Sequence, residues 1–304
     1  MSEQQVKKIF GKEASMMFNG GQFAIKAFSS RDFAFMPQTQ HGMLAKDDPK
    51  LALDTAYREL LFRCYIAATT SIMRSDSWLK NLLRAKTLDE ALLFCASLRG
   101  LLEATGDALD ITGYLLQTLA EDHEVLCSYL EHEPTKIHVH RELEDRLIHF
   151  THARKLSKEE KETFPESHSA QQIFQYIDNL ETAGVIGAKD CYAEMCDFTH
   201  PGLSSLQPWM TEEADSLKTH PRKDRILIAD ILKRYKHLFI PLLRTIYNPG
   251  LMTLNLLNHF PVKSIHTPAL LKLTWHSAPG WEKAERKLKI SRFYRPNSYA
   301  ITRN

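Results

Sequence analysis

The pattern of hydrophobic and polar positions is helical along most of the chain. Apolar side chains recur at intervals of three and four residues from Leu51 to Met73, and again from the Thr87-Leu-Asp-Glu90 capping box to about Leu119. This is the period of amphipathic helices that turn one face toward a core. Shorter helices are predicted at about 121–131, 140–156, 169–183, 189–199 and 225–239, and at 242–257 after a break at Pro241.

The arrangement of these segments predicts an all-α fold, a multi-helix bundle. No alternation of strands and helices, no glycine-rich phosphate loop and no strand-turn-strand run is visible. The predicted organisation has four parts: an irregular N-terminal arm at 1–50, the main helical bundle at 51–200, a linker loop at 201–222, and a C-terminal helical hairpin with a basic tail at 223–304.

Composition narrows the class of protein. With 304 residues and 43% hydrophobic content the chain can bury a substantial core. The near balance of 39 basic and 37 acidic residues argues against a general nucleic-acid coat. The exception is the tail from Trp281, which has seven basic and two acidic residues. There basic side chains alternate with aromatic ones, which suits phosphate pairing and base stacking, and the candidates for nucleic-acid binding are Lys287, Lys289, Arg292 and Arg295.

The cysteines and the N-terminal segment help to predict the cellular compartment of the protein. Five cysteines without a Cys-x-x-Cys pair are more typical of reduced thiols than of a disulfide framework or a zinc site. The N-terminal segment has no apolar signal core, and no stretch reaches the roughly 18 apolar residues of a membrane span. We therefore expect a cytoplasmic protein without a membrane partner.

The most informative stretch is a helix that ends on His200-Pro-Gly. Pro201 disfavours helical geometry at His200, so the imidazole is expected at the helix C-terminus, with Asp197 one turn before it. Arg99 and Glu103, spaced i and i+4, interrupt a helix that is otherwise apolar. If they face inward, the four side chains form one polar network. The alternative is a solvent-exposed stripe and a histidine that only ends its helix.

A second candidate lies on the helix predicted at 140–156. Arg146 is followed six positions later by His152, and His149 shares a face with His152. Two histidines with a nearby carboxylate would suit a divalent metal, but the spacing is not His-Glu-x-x-His and no third ligand is evident. We therefore predict no metal and no cofactor.

The Arg146-to-His152 spacing resembles the Arg-x4-6-His motif of HEPN-domain ribonucleases, which are all-helical proteins of bacterial defence and toxin systems. The resemblance implies a metal-independent site at a dimer interface, in which His152 transfers protons and Arg146 stabilises the phosphorane charge. Leu147 departs from the family, which usually has a polar residue, often Asn, after the arginine.

Residues 98–103 and 192–202 also resemble uncharacterised bacterial helical proteins of HEPN-like type. Together the resemblances imply a defence or toxin-like effector that acts on RNA, with a homodimer or a partner protein of a defence or toxin-antitoxin system. The sequence leaves open whether the Arg146 pair or the Arg99 set is active. The alternative function is a non-catalytic helical protein that binds a partner subunit or nucleic acid.

Overall fold

The protein is described by a computed structural model that covers residues 3–28, 30–131, 140–219, 223–273 and 278–294. Within these residues the regular secondary structure is helical apart from one two-stranded hairpin, so the predicted all-α, multi-helix fold is confirmed. None of the helices described is both long enough and apolar enough to cross a membrane. All five cysteines are free thiols.

Fourteen α-helices and two strands lie in the described part of the chain. In order they are α1 Glu3–Phe10, α2 Lys12–Ala27, α3 Gln38–Asp47, α4 Pro49–Thr87, α5 Ala91–Glu121, α6 His123–Leu130, α7 Arg141–His152, α8 Glu160–Thr163, α9 Ile173–Thr182, α10 Ala188–Thr199, α11 Leu203–Leu206, β1 Met210–Glu213, β2 Ser216–Thr219, α12 Asp224–Arg234, α13 Phe239–Leu257 and α14 Pro279–Leu288. The two helices predicted from the strongest periodicity are α4 and α5. Helix α4 extends beyond both predicted ends, whereas α5 begins at Ala91, after the predicted start, and ends at Glu121, two residues after the predicted end.

The chain divides into two compact units whose segments alternate along the sequence. The first unit consists of Met1–Phe23, Ser71–Asp110 and Gln172–Tyr247, and the second of Ala24–Thr70, Ile111–Gln171 and Asn248–Asn304. The long helices α4 and α5 therefore each contribute to both units. This division does not follow the contiguous parts expected from the sequence.

Close helix contacts in the first unit occur at glycines of α5. A Cβ atom on Gly100 would lie 2.8 Å from the ring of Trp78, and one on Gly106 would lie 2.5 Å from the carbonyl oxygen of Tyr176. Such distances are too short for a side chain, so α5 packs directly against these neighbours through its backbone. These contacts fix the helix that carries Arg99.

The start of α5 differs from the predicted capping box. Thr87 belongs to the last turn of α4, where its hydroxyl donates to the carbonyl oxygen of Leu83 at 2.8 Å. Asp224, at the start of α12, instead accepts a hydrogen bond of 2.7 Å from the backbone nitrogen of Ala91. A residue 133 positions away thus supplies the acceptor that the first turn of α5 requires.

The N-terminal arm was predicted wrongly, because residues 3–27 and 38–47 form helices α1 to α3. On α2, Ala14, Phe18 and Gly21 are buried at helical spacing. Gly21 faces Tyr247 so closely that a Cβ atom would lie 2.2 Å from the tyrosine ring. The buried face is hidden in the sequence because one of its positions is a glycine rather than an apolar side chain.

Three further expectations for the C-terminal half are corrected. The predicted linker loop at 201–222 contains α11 and the antiparallel hairpin of β1 and β2, whose largely exposed strands lack an alternating pattern. The chain breaks at the 3₁₀ turn Lys236–Leu238, and Pro241 lies in the first turn of α13, where no intrahelical N–H is needed. The basic tail begins as α14, which buries Ala284 and Leu288.

Buried histidines lie in the core of the second unit. His123 is fully buried, with its Nδ1 atom 2.8 Å from the Ser291 hydroxyl and its Nε2 atom 3.2 Å from the carbonyl oxygen of His259. Since a carbonyl only accepts, Nε2 carries the proton and Nδ1 accepts from Ser291. The neutral imidazole thereby ties α6 to the residues after α14.

Candidate functional site

The candidate site is centred on Arg99, in the first unit. Its Nε atom donates to the Oε1 atom of Glu103, one turn further along α5, at 3.0 Å. Both side chains are partly buried, with 30% and 27% of their surfaces exposed. Burial opposes the charge of Arg99, but the hydrogen bond and the negative charge of Glu103 outweigh it and raise the pKa of the guanidinium.

Helix α10 and the residue that follows it supply three more members of the cluster. Tyr192 donates its hydroxyl to the Oε1 atom of Glu103 at 2.9 Å. The Nη1 atom of Arg99 donates to the hydroxyl of Thr199 at 3.2 Å and lies 3.4 Å from the Nε2 atom of His200. Residues about one hundred positions apart thus form one connected group, here called the Arg99 cluster: Arg99, Glu103, Tyr192, Thr199 and His200.

The end of α10 places the imidazole as predicted. The helix ends at Thr199, and His200 adopts an extended backbone with φ −94° and ψ 151°. This is the geometry that a following proline imposes. The Thr199 hydroxyl donates to the carbonyl oxygen of Met195 at 2.8 Å and can therefore accept from Arg99. The His200 side chain is exposed.

The contact between Arg99 and His200 can be a hydrogen bond in only one form of the imidazole. A guanidinium only donates, so the 3.4 Å contact is a hydrogen bond only while Nε2 of His200 is unprotonated. In that state the neutral imidazole carries its proton on Nδ1. The contact is long, so an incoming anion can displace it at low cost.

Tyr192 keeps its proton in this setting. Burial and the hydrogen bond to the Glu103 carboxylate raise the pKa of its hydroxyl well above the usual value. The phenol therefore serves as a donor that holds Glu103. The other carboxylate oxygen of Glu103 receives no hydrogen bond from the described residues and remains available as an acceptor.

The structure does not bring every predicted residue into the cluster. Asp197 is exposed and makes no hydrogen bond with His200 or with any other part of the chain that the structure describes. Tyr192 and Thr199 were not among the predicted site residues. Their signal in the sequence was weak: they lie seven positions apart, on the same face of α10.

Arg146 and His152 lie in different surroundings on α7. Six positions correspond to a rotation of about 120° around a regular helix, so the two side chains project in different directions. The guanidinium of Arg146 stacks 4.2 Å from the ring of Tyr114 and pairs with Glu142 at 3.2 Å. His152 is exposed, and its Nδ1 atom lies 2.6 Å from the Thr151 hydroxyl. No described hydrogen bond links the pair.

The described residues contain no group of three or more His, Cys, Asp or Glu side chains that could hold a metal ion. His149, which shares a face of α7 with His152, has its Nδ1 atom 3.2 Å from the carbonyl oxygen of Ser167. In that arrangement Nδ1 carries a proton and donates it to the carbonyl oxygen.

The predicted nucleic-acid-binding residues are partly neutralised. Lys287 lies 3.8 Å from Glu121, Lys289 lies 3.1 Å from Glu285, and Arg292 lies 3.7 Å from Glu124. All three side chains are about half exposed. Exposed pairs of this kind are weak, so the cations can exchange a carboxylate for a phosphate. Arg295 lies outside the described residues.

Comparison with known proteins identifies no relative of this chain. No family model, no curated protein and no solved structure matches the chain.

Proposed function

We propose that the protein is a metal-independent endoribonuclease of HEPN-like type, which acts as a bacterial defence or toxin-like effector, and that the Arg99 cluster is its active site. The observation that supports this most directly is the 3.4 Å contact between the half-buried guanidinium of Arg99 and the exposed imidazole of His200. A cation beside a neutral imidazole combines anion binding with proton transfer, as metal-free cleavage of a phosphodiester requires.

The cluster suits the reaction in the following way. In the free protein, Arg99 directs an N–H group toward Nε2 of His200. A phosphate oxygen of RNA accepts a hydrogen bond from this N–H group instead, so Nε2 of His200 is released. Nε2 then accepts the proton of the ribose 2′-hydroxyl as its oxygen attacks phosphorus. The bond from phosphorus to the 5′ oxygen breaks, and this oxygen takes a proton from water. The hydroxide that remains takes the proton from His200, which returns the imidazole to its neutral form. The products are a 2′,3′-cyclic phosphate and a 5′-hydroxyl.

Glu103 and Tyr192 act as positioning residues in this scheme. Glu103 accepts from both Arg99 and Tyr192, so the guanidinium keeps its orientation before the substrate arrives. Preorganised charge of this kind stabilises the pentacoordinate phosphorane without reorganisation during the reaction. Arg99, which remains charged, neutralises the phosphorane.

The proposal is tested with end-labelled RNA in the presence of EDTA. We expect cleavage that leaves 2′,3′-cyclic phosphate ends, and we expect His200→Ala to reduce the rate by about 10²-fold or more. The matched control is His41→Ala on α3, a histidine whose ring makes no hydrogen bond with the described residues. Unfolding midpoints of both variants should remain near that of the wild type.

His152→Ala separates the two histidine positions. Full cleavage by His152→Ala with loss in His200→Ala supports the Arg99 cluster, whereas the opposite result assigns the reaction to α7. Cleavage that survives both substitutions, or that requires a divalent metal, overturns the proposal.

A second candidate function is non-catalytic binding of RNA or of a protein partner. It is supported by the half-exposed cations at the end of α14, whose weak ion pairs can be exchanged. In this case affinity for RNA falls steeply with salt. A variant with Lys287, Lys289 and Arg292 changed to Gln should lose binding and retain its fold. It should also cleave RNA normally if the ribonuclease proposal is correct.

A further inference from the structure

A groove of about 620 Å³ lies on the first unit, between the N-terminal helices and the second half of α4. Its volume falls within the range of small-molecule sites in proteins. It shares no residue with the Arg99 cluster. Its walls combine two cations, three amides, a hydroxyl and two apolar side chains: Lys80, Arg84, Gln5, Gln22, Asn81, Thr87, Phe18 and Leu88.

A buried carboxylate, that of Asp76, holds two of the side chains that line this groove. Asp76 is 3% exposed and accepts hydrogen bonds from Gln22 at 2.6 Å and from the Tyr247 hydroxyl at 2.9 Å, both on Oδ1. Its Oδ2 atom pairs with the Nζ atom of Lys80 at 2.6 Å. The negative charge of Asp76 is therefore compensated by Lys80. Gln22 directs its nitrogen to Asp76, which leaves its side-chain oxygen as an acceptor for other groups.

Arg84 then supplies the net positive charge of the groove. Its side chain is exposed and forms no ion pair with the described residues. It lies one turn after Lys80 on α4, so both cations are on the same face of the helix. A guanidinium in this position can bind a phosphate through two parallel hydrogen bonds.

The other walls suit the remainder of a nucleotide. Asn81 is exposed and, like Gln22, offers the amide group that pairs with base edges. Phe18 is buried beneath the groove, whereas Leu88 is 58% exposed beside it and provides apolar surface for a planar ring. The combination of one uncompensated cation, amides and apolar surface is the chemistry of a small phosphate ester with a heterocyclic base.

We propose that this groove binds a nucleoside monophosphate, with the phosphate on Arg84 and the base between the amides and Leu88. The proposal does not depend on ribonuclease activity. It assigns a ligand class to residues that the Arg99 cluster does not use.

Calorimetric titration of the full-length protein tests the site. The probes are AMP, GMP, CMP and UMP, the matching nucleosides, and inorganic phosphate. We expect at least one nucleotide to bind about tenfold or more tightly than its nucleoside, since a charge-assisted hydrogen bond contributes this much. Arg84→Gln should remove that difference. Arg225→Gln, which removes an exposed arginine of α12 outside the groove, should preserve it.

Asn81→Ala tests the part of the site assigned to the base. It should weaken nucleotide binding several-fold and leave the weak binding of inorganic phosphate unchanged. The proposal is overturned if no nucleotide binds, if phosphate binds as tightly as the nucleotide, or if Arg84→Gln and Arg225→Gln behave alike. Binding that Arg99→Gln abolishes and Arg84→Gln preserves places the ligand at the Arg99 cluster and also excludes the groove.

Discussion

Arg99 and His200 are separated by 101 positions in the sequence, yet Nη1 of Arg99 lies 3.4 Å from Nε2 of His200. The guanidinium donates through Nε to Glu103 and through Nη1 to Thr199. The imidazole is exposed and emerges where α10 ends. A fixed cation beside an accessible proton acceptor is the arrangement on which the proposed chemistry depends.

The first prediction concerns Glu103. Glu103→Gln removes the ion pair with Arg99 but keeps an oxygen that can accept from Tyr192. Because the pair is partly exposed, we expect a loss of only about 0.5–1 kcal/mol in the free energy of unfolding in urea. The effect on RNA cleavage should be larger, since Arg99 loses its orientation, and it should appear in kcat more than in KM. If the loss in activation free energy, calculated from kcat, equals the loss in unfolding free energy, a positioning role for Glu103 is contradicted.

The second prediction concerns the packing of α5. Gly106→Ala places a methyl group 2.5 Å from the carbonyl oxygen of Tyr176, so we expect a destabilisation of about 1–3 kcal/mol. Gly20→Ala on α2 is the matched control, because no atom lies within 4 Å of its new Cβ. Since alanine favours a helix, that variant should gain up to about 1 kcal/mol. Thermal and urea unfolding of both variants measures whether their changes in stability have opposite signs.

The third prediction concerns Asp224. Asp224→Ala removes the acceptor for the buried backbone N–H of Ala91. We expect a loss of about 1–2 kcal/mol in unfolding free energy. Amide hydrogen exchange should accelerate most in the first turn of α5. Unchanged protection of that turn would show that another group satisfies the N–H.

The fourth prediction is an acid-sensitive core in the second unit. Burial lowers the pKa of His123, His259 and His266, and for His259 burial and the neighbouring His123 and His266 lower it to about 4. The folded protein thus favours neutral imidazoles. Their contribution to stability is complete above the unfolded pKa of about 6.5 and is lost as the pH falls from there toward about 4.

Between pH 7 and pH 5, His259 alone should account for a loss of about 2 kcal/mol in unfolding free energy. Replacing it in His259→Gln should make the stability profile flatter over this range. Urea unfolding at both pH values measures the difference. A wild-type protein equally stable at pH 7 and pH 5 would exclude the effect.

Periodicity in the sequence was sufficient for the long helices and for part of the site. The apolar spacing of α4 and α5 and the proline after His200 act locally, so their consequences could be predicted. Helix α2 could not be predicted in this way, because one position of its buried face is Gly21. The reason for a glycine there is the close approach of Tyr247, which the sequence does not reveal. Asp197 lies outside the Arg99 cluster because of which side of α10 faces α5. No residue near Asp197 in the sequence determines that side.

The hydrogen bond from Ala91 to Asp224 also affects the order of events during synthesis. A ribosome produces α5 long before it reaches α12. The N–H group of Ala91 therefore lacks this acceptor until 133 further residues have been added to the nascent chain. The helix that carries Arg99 therefore acquires its final N-terminal anchor late in translation. Because the Thr199 and His200 contacts also come from later residues, a chain arrested before α10 lacks the complete cluster.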